Sequence, residues 1–406
     1  MKSYRTNYTA LLIAQTMAIL GFGLTVPVLP LFLEDDIGVT DPVKLKMWVG
    51  LISSSVSVTM AVFAPIWGHL ADIYSRKAML LRAMFGGAIV IFFMAFVNSP
   101  WQLLILKAIQ GCLTGTVAAT TVLVAGITPA AQVAVALGLL QTMIAVGNSL
   151  GPLIGGVVSD FFGYRAAFYV NAMALALGGF IILKWVNSDL KPPRDKHAGK
   201  LSLIPDIKPI ASSPVLITVM LVTLGLHAAN NAAAPMLPLY IKSLIINLSE
   251  APAYIASSSG IVLGIGAAFT AIAAVLVGKL SPSLGYWRTL FFCLGAGAAL
   301  TIPQAFVTNV VQLTIFRAAS SFFLGGAIPV MNAIIAVSSD KRHQGTIFGF
   351  SSSVACIGGA FGPLVGSAAA MLSYRAVFLT TALIMGLCAV EIQRRRKKSA
   401  ATPIPE

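Results

Sequence analysis

The stretch Gly147-Asn-Ser-Leu-Gly151-Pro152-Leu-Ile-Gly155-Gly156 occurs twice in this chain. It returns 211 residues later as Gly358-Gly-Ala-Phe-Gly362-Pro363-Leu-Val-Gly366. Small residues four apart on a helix line one flat face that another backbone can approach, and Pro152 removes a backbone donor and favours a kink. The same copy spacing continues outward from this stretch. Gly138 recurs as Gly349, and Tyr164-Arg-Ala-Ala-Phe168 as Tyr374-Arg-Ala-Val-Phe378. Leu103 and Lys107 match Leu313 and Arg317. Pro27-Val-Leu-Pro-Leu-Phe32 returns as Pro235-Met-Leu-Pro-Leu-Tyr240, 208 residues on. One matched pair would be noise, but so many at nearly one spacing make an internal duplication.

Composition says where such a duplicated chain lives. Of its 406 residues, 57% are hydrophobic and only 10% charged, with a mean hydropathy of +0.89. Soluble proteins carry about 25% charged residues, so this chain cannot clothe a water-facing surface. That excludes a soluble enzyme, a disordered chain and, despite the net charge of +14, a nucleic-acid-binding domain. Cys112, Cys293, Cys356 and Cys388 all fall in apolar runs without CxxC or metal-like spacing, so neither a disulfide framework nor a metal site is expected.

A membrane span needs about 20 apolar residues. Twelve such segments are predicted, at roughly 8–33, 46–70, 77–97, 100–125, 131–158, 165–186, 213–240, 252–278, 288–306, 309–337, 344–370 and 374–392. The expected fold is an all-α membrane protein of twelve transmembrane helices in two pseudo-symmetric six-helix bundles. The expected domains are 1–186, a cytoplasmic linker 187–210 containing Pro192-Pro193, a second bundle 211–393 and a basic tail 394–406. Basic residues fix the orientation. Lys2, Arg5, Arg76, Lys77, Arg82, Lys184, the linker lysines and Arg194, Lys279, Arg288, Lys341, Arg342 and Arg394 to Lys398 fall on one side; Lys44, Lys46, Arg165, Lys242 and Arg375 fall on the other. Both termini are therefore expected in the cytoplasm. Six spans per half give the two copies the same membrane orientation, a transporter plan.

The loop after the second segment reads Gly68-His-Leu70-Ala-Asp72-Ile-Tyr-Ser-Arg76-Lys77. It resembles the GxLaDrxGrk signature of the major facilitator superfamily, with Ile73 and Ser75 as departures, and the resemblance covers the whole chain. It implies that Asp72 acts as a conformational latch, with Arg76 and Lys77 as partners. The glycine stretch of Gly138, Gly147, Gly151, Pro152, Gly155 and Gly156 is similar to the signature of that superfamily's drug:proton antiporter branch, and Gly358, Gly362, Pro363 and Gly366 repeat it. Leu103-Leu-Ile-Leu-Lys107-Ala-Ile-Gln110-Gly111 resembles the branch's lxxxRxxqG motif, with lysine in place of arginine. The resemblance ties that basic position to proton movement.

Charge placement carries its own reading. No acidic residue sits mid-span, whereas Lys107 and Arg317 do, and a buried charge needs a cavity or a partner. This favours anionic, zwitterionic or neutral amphiphiles over lipophilic cations. Glu34 or Asp35, ending the first segment, is placed to pair with Lys107 and release it on protonation. His227 shares a helix face with Asn230 and Asn231 and is a second proton-coupling candidate; interhelical hydrogen bonding explains the same trio equally well. Gln15, Gln110, Gln141, Asn148 and Asn332 complete the polar candidates for a substrate cavity.

No phosphate-binding loop is present, so a proton gradient is expected to drive transport without a cofactor. The expected activity is proton-coupled efflux of amphipathic small molecules by alternating access. The expected setting is a bacterial inner membrane, as a monomer among lipids, with no nucleic-acid partner. A dedicated carrier of one metabolite such as a siderophore or organic acid, a lipid flippase and a non-transporting receptor are the rivals.

Overall fold

The structure, a computed structural model, describes residues 2–73, 75–113, 115–129, 132–186, 208–247, 254–339 and 344–400. Most of the expected linker and the end of the tail lie outside these residues. Contacts divide the chain into two compact units. The first holds Met1–Leu203 and Ala251–Gly264, the second Ile204–Glu250 and Ile265–Glu406.

The first unit is built from α1 (Lys2–Leu24), a single turn α2 (Leu29–Leu31) that runs into a π-turn (Phe32–Asp36), α3 (Pro42–Ile73), α4 (Arg76–Met94), α5 (Pro100–Leu113), α6 (Thr116–Ile127), α7 (Val133–Phe162) and α8 (Tyr164–Trp185). The α1 helix packs on α7 and α8, α3 on α5, and α4 on α8. In the second unit lie α9 (Lys208–Ala211), α10 (Pro214–Ala233), α11 (Leu237–Asn247), the later part of α12 (Ile255–Leu284), α13 (Tyr286–Thr301), α14 (Val310–Ser338), α15 (Gln344–Leu372) and α16 (Tyr374–Ala400). There α10 packs on α15 and α16, and α13 on α14 and α16. Its core gathers Leu226, Leu294, Val330, Ile335 and Met385. The outward faces carry exposed Ile89, Phe93, Phe180, Phe292 and Leu383, the surface a helix shows to hydrocarbon rather than to water.

Ten described helices are long and apolar enough to cross a membrane. Four expected spans depart from a single helix: span one breaks between α1 and α2 before the π-turn, and span seven is α10 joined to α11 by a 3-10 turn at Ala234–Met236. Span four is α5 followed by α6, with Gly115 at φ 131 between them. Span nine is α13 finished by a 3-10 turn at Ile302–Ala305. The basic segment expected as a tail from Arg394 instead continues α16 as far as Ala400. The first ten residues of α12, expected in the second bundle, pack with the first unit.

The duplication is visible atom by atom. The rings of Phe32 and Phe168 lie 5.1 Å apart, and those of their copies Tyr240 and Phe378 also lie 5.1 Å apart. The arginine contacts differ: Arg165 sits 5.7 Å from the Phe32 ring centroid, whereas its copy Arg375 sits 5.8 Å from that of Phe306, which corresponds to Phe96.

Candidate functional site

The glycine stretch on α7 is seated on α1. A Cβ at Gly151 would lie 2.7 Å from the Leu20 carbonyl oxygen, and one at Gly155 would lie 2.1 Å from that of Leu24. In the second unit a Cβ at Gly362 would lie 2.6 Å from the Ala228 oxygen, and one at Gly366 would lie 2.0 Å from that of Ala232. Leu20 and Leu24 plus 208 are Ala228 and Ala232, so the two seams share one register. Gly147 and Gly358 continue them, against Ile19 and His227 respectively. Gly138 does not take part: nothing lies within 4 Å of the Cβ it lacks, and Gly349 is equally open. The motif thus gives each half three glycines that pack on the seam and one open glycine, while Gly156 packs instead against Ala256 of α12.

This seam also places the histidine face. The Cβ atoms of His227 and Asn231 rest on Gly358 and Gly362, and Asn231 Nδ2 donates to the His227 carbonyl at 2.9 Å within the same helix. His227 and Asn230 are both half-buried.

The buried stripe of α5 is Leu103, Lys107, Gln110 and Gly111, the residues of the motif. A Cβ at Gly111 would meet Thr59 Oγ1 at 2.0 Å and the Val56 oxygen at 2.4 Å, so this stripe lies against α3. Lys107, one turn earlier, is 8% exposed, and Gln110 Oε1 is buried with no hydrogen-bond partner. The copy repeats the arrangement. Gly325 is seated on the Thr270 backbone, and Gly266 lies against Ser321 and the Arg317 side chain. Val56 and Gly111 correspond, 210 residues on, to Gly266 and Ser321. Lys107 and Arg317 therefore occupy matched faces of matched helix pairs.

The break after Leu113 was not foreseen from sequence. A helix end leaves carbonyls without intrahelical partners, and in a membrane they must be met from nearby. Trp67 Nε1 donates to the Cys112 oxygen, and Arg82 Nη2 reaches the Leu113 oxygen at 3.5 Å. The Arg82 guanidinium also lies 3.3 Å from the Trp67 ring centroid. Arg82, expected on the cytoplasmic side, lies in the second turn of α4 and is tied to the break. On the far side of the break Gln15 Nε2 donates to Thr116 Oγ1 at 3.4 Å and Thr120 Oγ1 donates to Gln15 Oε1 at 2.7 Å. Gln15, a cavity candidate, is fully buried and is engaged as a clamp between α1 and α6.

The latch motif is described only in part. The side chain of Asp72 and the surroundings of Gly68 lie outside the described residues, and Leu70 is half-buried. Lys77 Nζ donates to the Leu183 carbonyl at 3.2 Å and to that of Val186, a cation at the C-terminal end of α8. Arg76 sits near Gly126 on α6.

The acidic end of the first span meets α8. Tyr164 Oη donates to Asp35 at 2.9 Å, and Arg165 pairs with Asp36 at 3.2 Å. Arg165 further donates to the Ala95 and Val97 carbonyls and to Asn98 Oδ1. Glu34 is half-buried on the π-turn. Gln141, Asn148 and Asn332 are exposed.

Sequence reasoning also missed Asn171, whose side-chain amide is completely buried with neither atom bonded, against Gly21. Among the described residues no group of His, Cys, Asp and Glu is placed to hold a metal ion.

These paired seams and mirrored basic positions define a duplicated membrane transporter rather than an enzyme. The chain belongs to the Major Facilitator Superfamily, whose profile matches residues 11–311 and 292–405. It is 33% identical over 411 residues to a protein of Enterobacter lignolyticus named multidrug resistance protein MdtG, spanning 99% of this chain and 95% of that one. The Escherichia coli (strain SMS-3-5 / SECEC) protein of the same name is 33% identical over 384 residues, 92% and 91% of the two chains. Among solved structures, the nucleoside transporter NupG superposes with a TM-score of 0.80 at 14% identity, over 96% of this chain and 99% of that one. A bacterial homologue of the human lysosomal transporter Spinster, inward-facing, gives 0.78 at 12% identity over 96% of each chain. At these identities the two structures speak for the fold alone.

Proposed function

We propose that the chain is a proton-coupled exporter of amphipathic small molecules, working by alternating access in a bacterial inner membrane with both termini in the cytoplasm. It works as a monomer, and its only energy source is the proton gradient. The observation that carries the reading is the one-third identity, over nearly the whole length, to relatives named multidrug resistance proteins. It is joined by a glycine signature that seats α7 on α1 and α15 on α10 in one register. A proton entering down about 100 mV supplies roughly 2.3 kcal/mol plus any pH difference, enough for uphill export.

Lys107 and Arg317, set on matched faces in spans that carry no carboxylate, support a preference for anionic, zwitterionic or neutral amphiphiles. Each is costly unless something meets it, and an anionic group on a substrate would.

The test is flux in proteoliposomes under an imposed proton gradient, with labelled cations, anions and neutral amphiphiles. Uphill movement of the substrate against the proton flow, with anions or neutral compounds among those moved, is the expected result. Movement of lipophilic cations alone would overturn the charge argument. No uphill flux for any compound would overturn proton coupling.

A further inference from the structure

One corner of the fold has diverged between the two copies, and the divergence leaves a cavity. At the end of α4 in the first unit, the Phe92 ring lies 5.2 Å from that of Phe96 and 5.8 Å from that of Tyr169 on α8, and Phe96 lies 5.8 Å from Tyr169. Phe93 extends the group, 6.0 Å from Phe92. In the sequence 210 residues on, Phe92, Phe93 and Tyr169 are replaced by Ile302, Pro303 and Leu379, and only Phe96 keeps its ring, as Phe306.

Where those rings are lost, the second unit has a cavity of about 670 Å³, lined by Ile302, Pro303, Phe306, Gln312, Ile315 and Phe316 among others. Small-molecule sites occupy about 300–1,000 Å³, so the space is ample for an acyl chain. Phe306 is 58% exposed and Ile315 is 61% exposed. In a membrane-spanning chain such apolar walls open to hydrocarbon rather than to water.

The charge beside the cavity has diverged as well. Arg165 is held in the first unit by Asp36, by the Ala95 and Val97 carbonyls and by Asn98. At the matched positions of the second unit Asp36 is Leu244, Glu34 is Lys242 and Asn98 is Thr308. Arg375, the copy of Arg165, is exposed and makes no ion pair among the described residues. Its guanidinium has turned instead to Phe306, 5.8 Å from the ring centroid of a residue that lines the cavity. An unneutralised cation therefore stands at the rim of an apolar space, where the first unit has a paired arginine beside packed rings. All of these second-unit residues lie within that unit.

We infer that this corner binds an anionic phospholipid, with one acyl chain in the cavity and the phosphate on Arg375. The open apolar wall admits an occupant from the bilayer. The arginine sets the sign of its head, because a guanidinium meets a phosphate through two parallel hydrogen bonds. A neutral lipid would fill the cavity and leave that charge unmet. The inference does not depend on what the chain transports, in which direction or with which ion.

Tryptophan quenching by brominated lipid tests it on the full-length protein, one copy to each phosphatidylcholine nanodisc. Phe306→Trp places a reporter at the cavity rim and keeps an aromatic ring under Arg375; Phe96→Trp places one at the matched position of the first unit. A minor fraction of the lipid carries bromine on its acyl chains, as phosphatidylglycerol or as phosphatidylcholine, and the signal of the native tryptophans is subtracted. At 306 the phosphatidylglycerol is expected to associate about fivefold more strongly, the preference that one arginine gives at an anionic headgroup. At 96 no preference is expected. Adding Arg375→Gln to the 306 reporter should abolish the preference while phosphatidylcholine still quenches. Ile302→Phe with Pro303→Phe, which restores the rings of the first unit, should weaken quenching by both lipids. Equal quenching by the two lipids at 306, or a preference that survives Arg375→Gln, would overturn the site. Absence of quenching by either lipid would show that the face is covered by protein and would overturn it too. Arg375→Gln alters an exposed side chain, so it decides if the double phenylalanine variant does not fold.

Discussion

Substituting Gly155 by alanine adds one methyl group where the structure has no room for it. The new carbon would sit 2.1 Å from the Leu24 oxygen, 2.6 Å from its Cα and 2.7 Å from its carbonyl carbon. Real Cβ contacts stop near 3.0 Å, so α1 and α7 must part by roughly 0.9 Å. All three atoms are backbone, so no side chain can swing away. A gap of 0.5–1 Å forfeits about a quarter to a half of the dispersion well at every contact along the seam. Overpacking of this kind costs about 1–3 kcal/mol; the helix propensity gained on replacing glycine returns at most about 1 kcal/mol. Gly138→Ala is the matched control. It lies on the same helix and belongs to the same motif, yet its new carbon meets nothing within 4 Å, so only the propensity gain remains. Reversible unfolding in mixed micelles, followed by tryptophan fluorescence, should place Gly155→Ala about 1–3 kcal/mol below Gly138→Ala, the propensity gain being common to both. Gly366→Ala, 2.0 Å from the Ala232 oxygen, should match Gly155→Ala. Equal midpoints for Gly155→Ala and Gly138→Ala would refute the claim that the seam is set by backbone contact.

Three further outcomes follow from the same geometry. Asn171→Thr copies the second unit, where Thr381 Oγ1 donates to the Val377 carbonyl at 2.8 Å; removing two buried unpaired amide atoms should raise stability by about 1 kcal/mol in the same unfolding assay. Thr120→Val leaves Gln15 Oε1 buried without its 2.7 Å donor and should cost about 1–3 kcal/mol. The double variant with Gln15→Leu should cost less than the two single losses added together. Trp67→Phe abandons the Cys112 carbonyl at the break in span four, and exchange at the amides after Gly115 should rise, while peptides from α8 stay at the wild-type rate.

The duplication, the helical class and the packing faces were all legible because each depends on residues recurring at fixed spacing, and close packing leaves only glycine to serve. That spacing could not show that Gly138 is idle, because the motif weighs every glycine alike. Polar residues were less legible. Gln15 was as good a cavity candidate as any, and only the neighbouring Thr116 and Thr120, more than a hundred residues away, occupy it. Asp35 was placed toward Lys107 by its depth along the chain, and Tyr164 and Arg165 intercept the acidic end. The break in span four left only the faint signal of Gly115 within an unbroken apolar run. Hydropathy is blind to it, because Trp67 and Arg82 supply the missing bonds without changing the composition of the span. Asp160, which accepts from the Ala256 and Ser257 N–H groups of α12, went unremarked because an acid at a helix end is the commonest place for one.

The glycines of the two halves are not kept equally. The three that seat α7 on α1 have their copies on α15, whereas Gly156 is matched by Ser367 and Asp160 by Met371. A gene stitched from two second halves would therefore inherit both backbone seams intact and possess no acid with which to hold the eighth span. Symmetry was conserved in the seams that build each half, and was surrendered where Asp160 of α7 accepts from the first turn of α12 within the first unit.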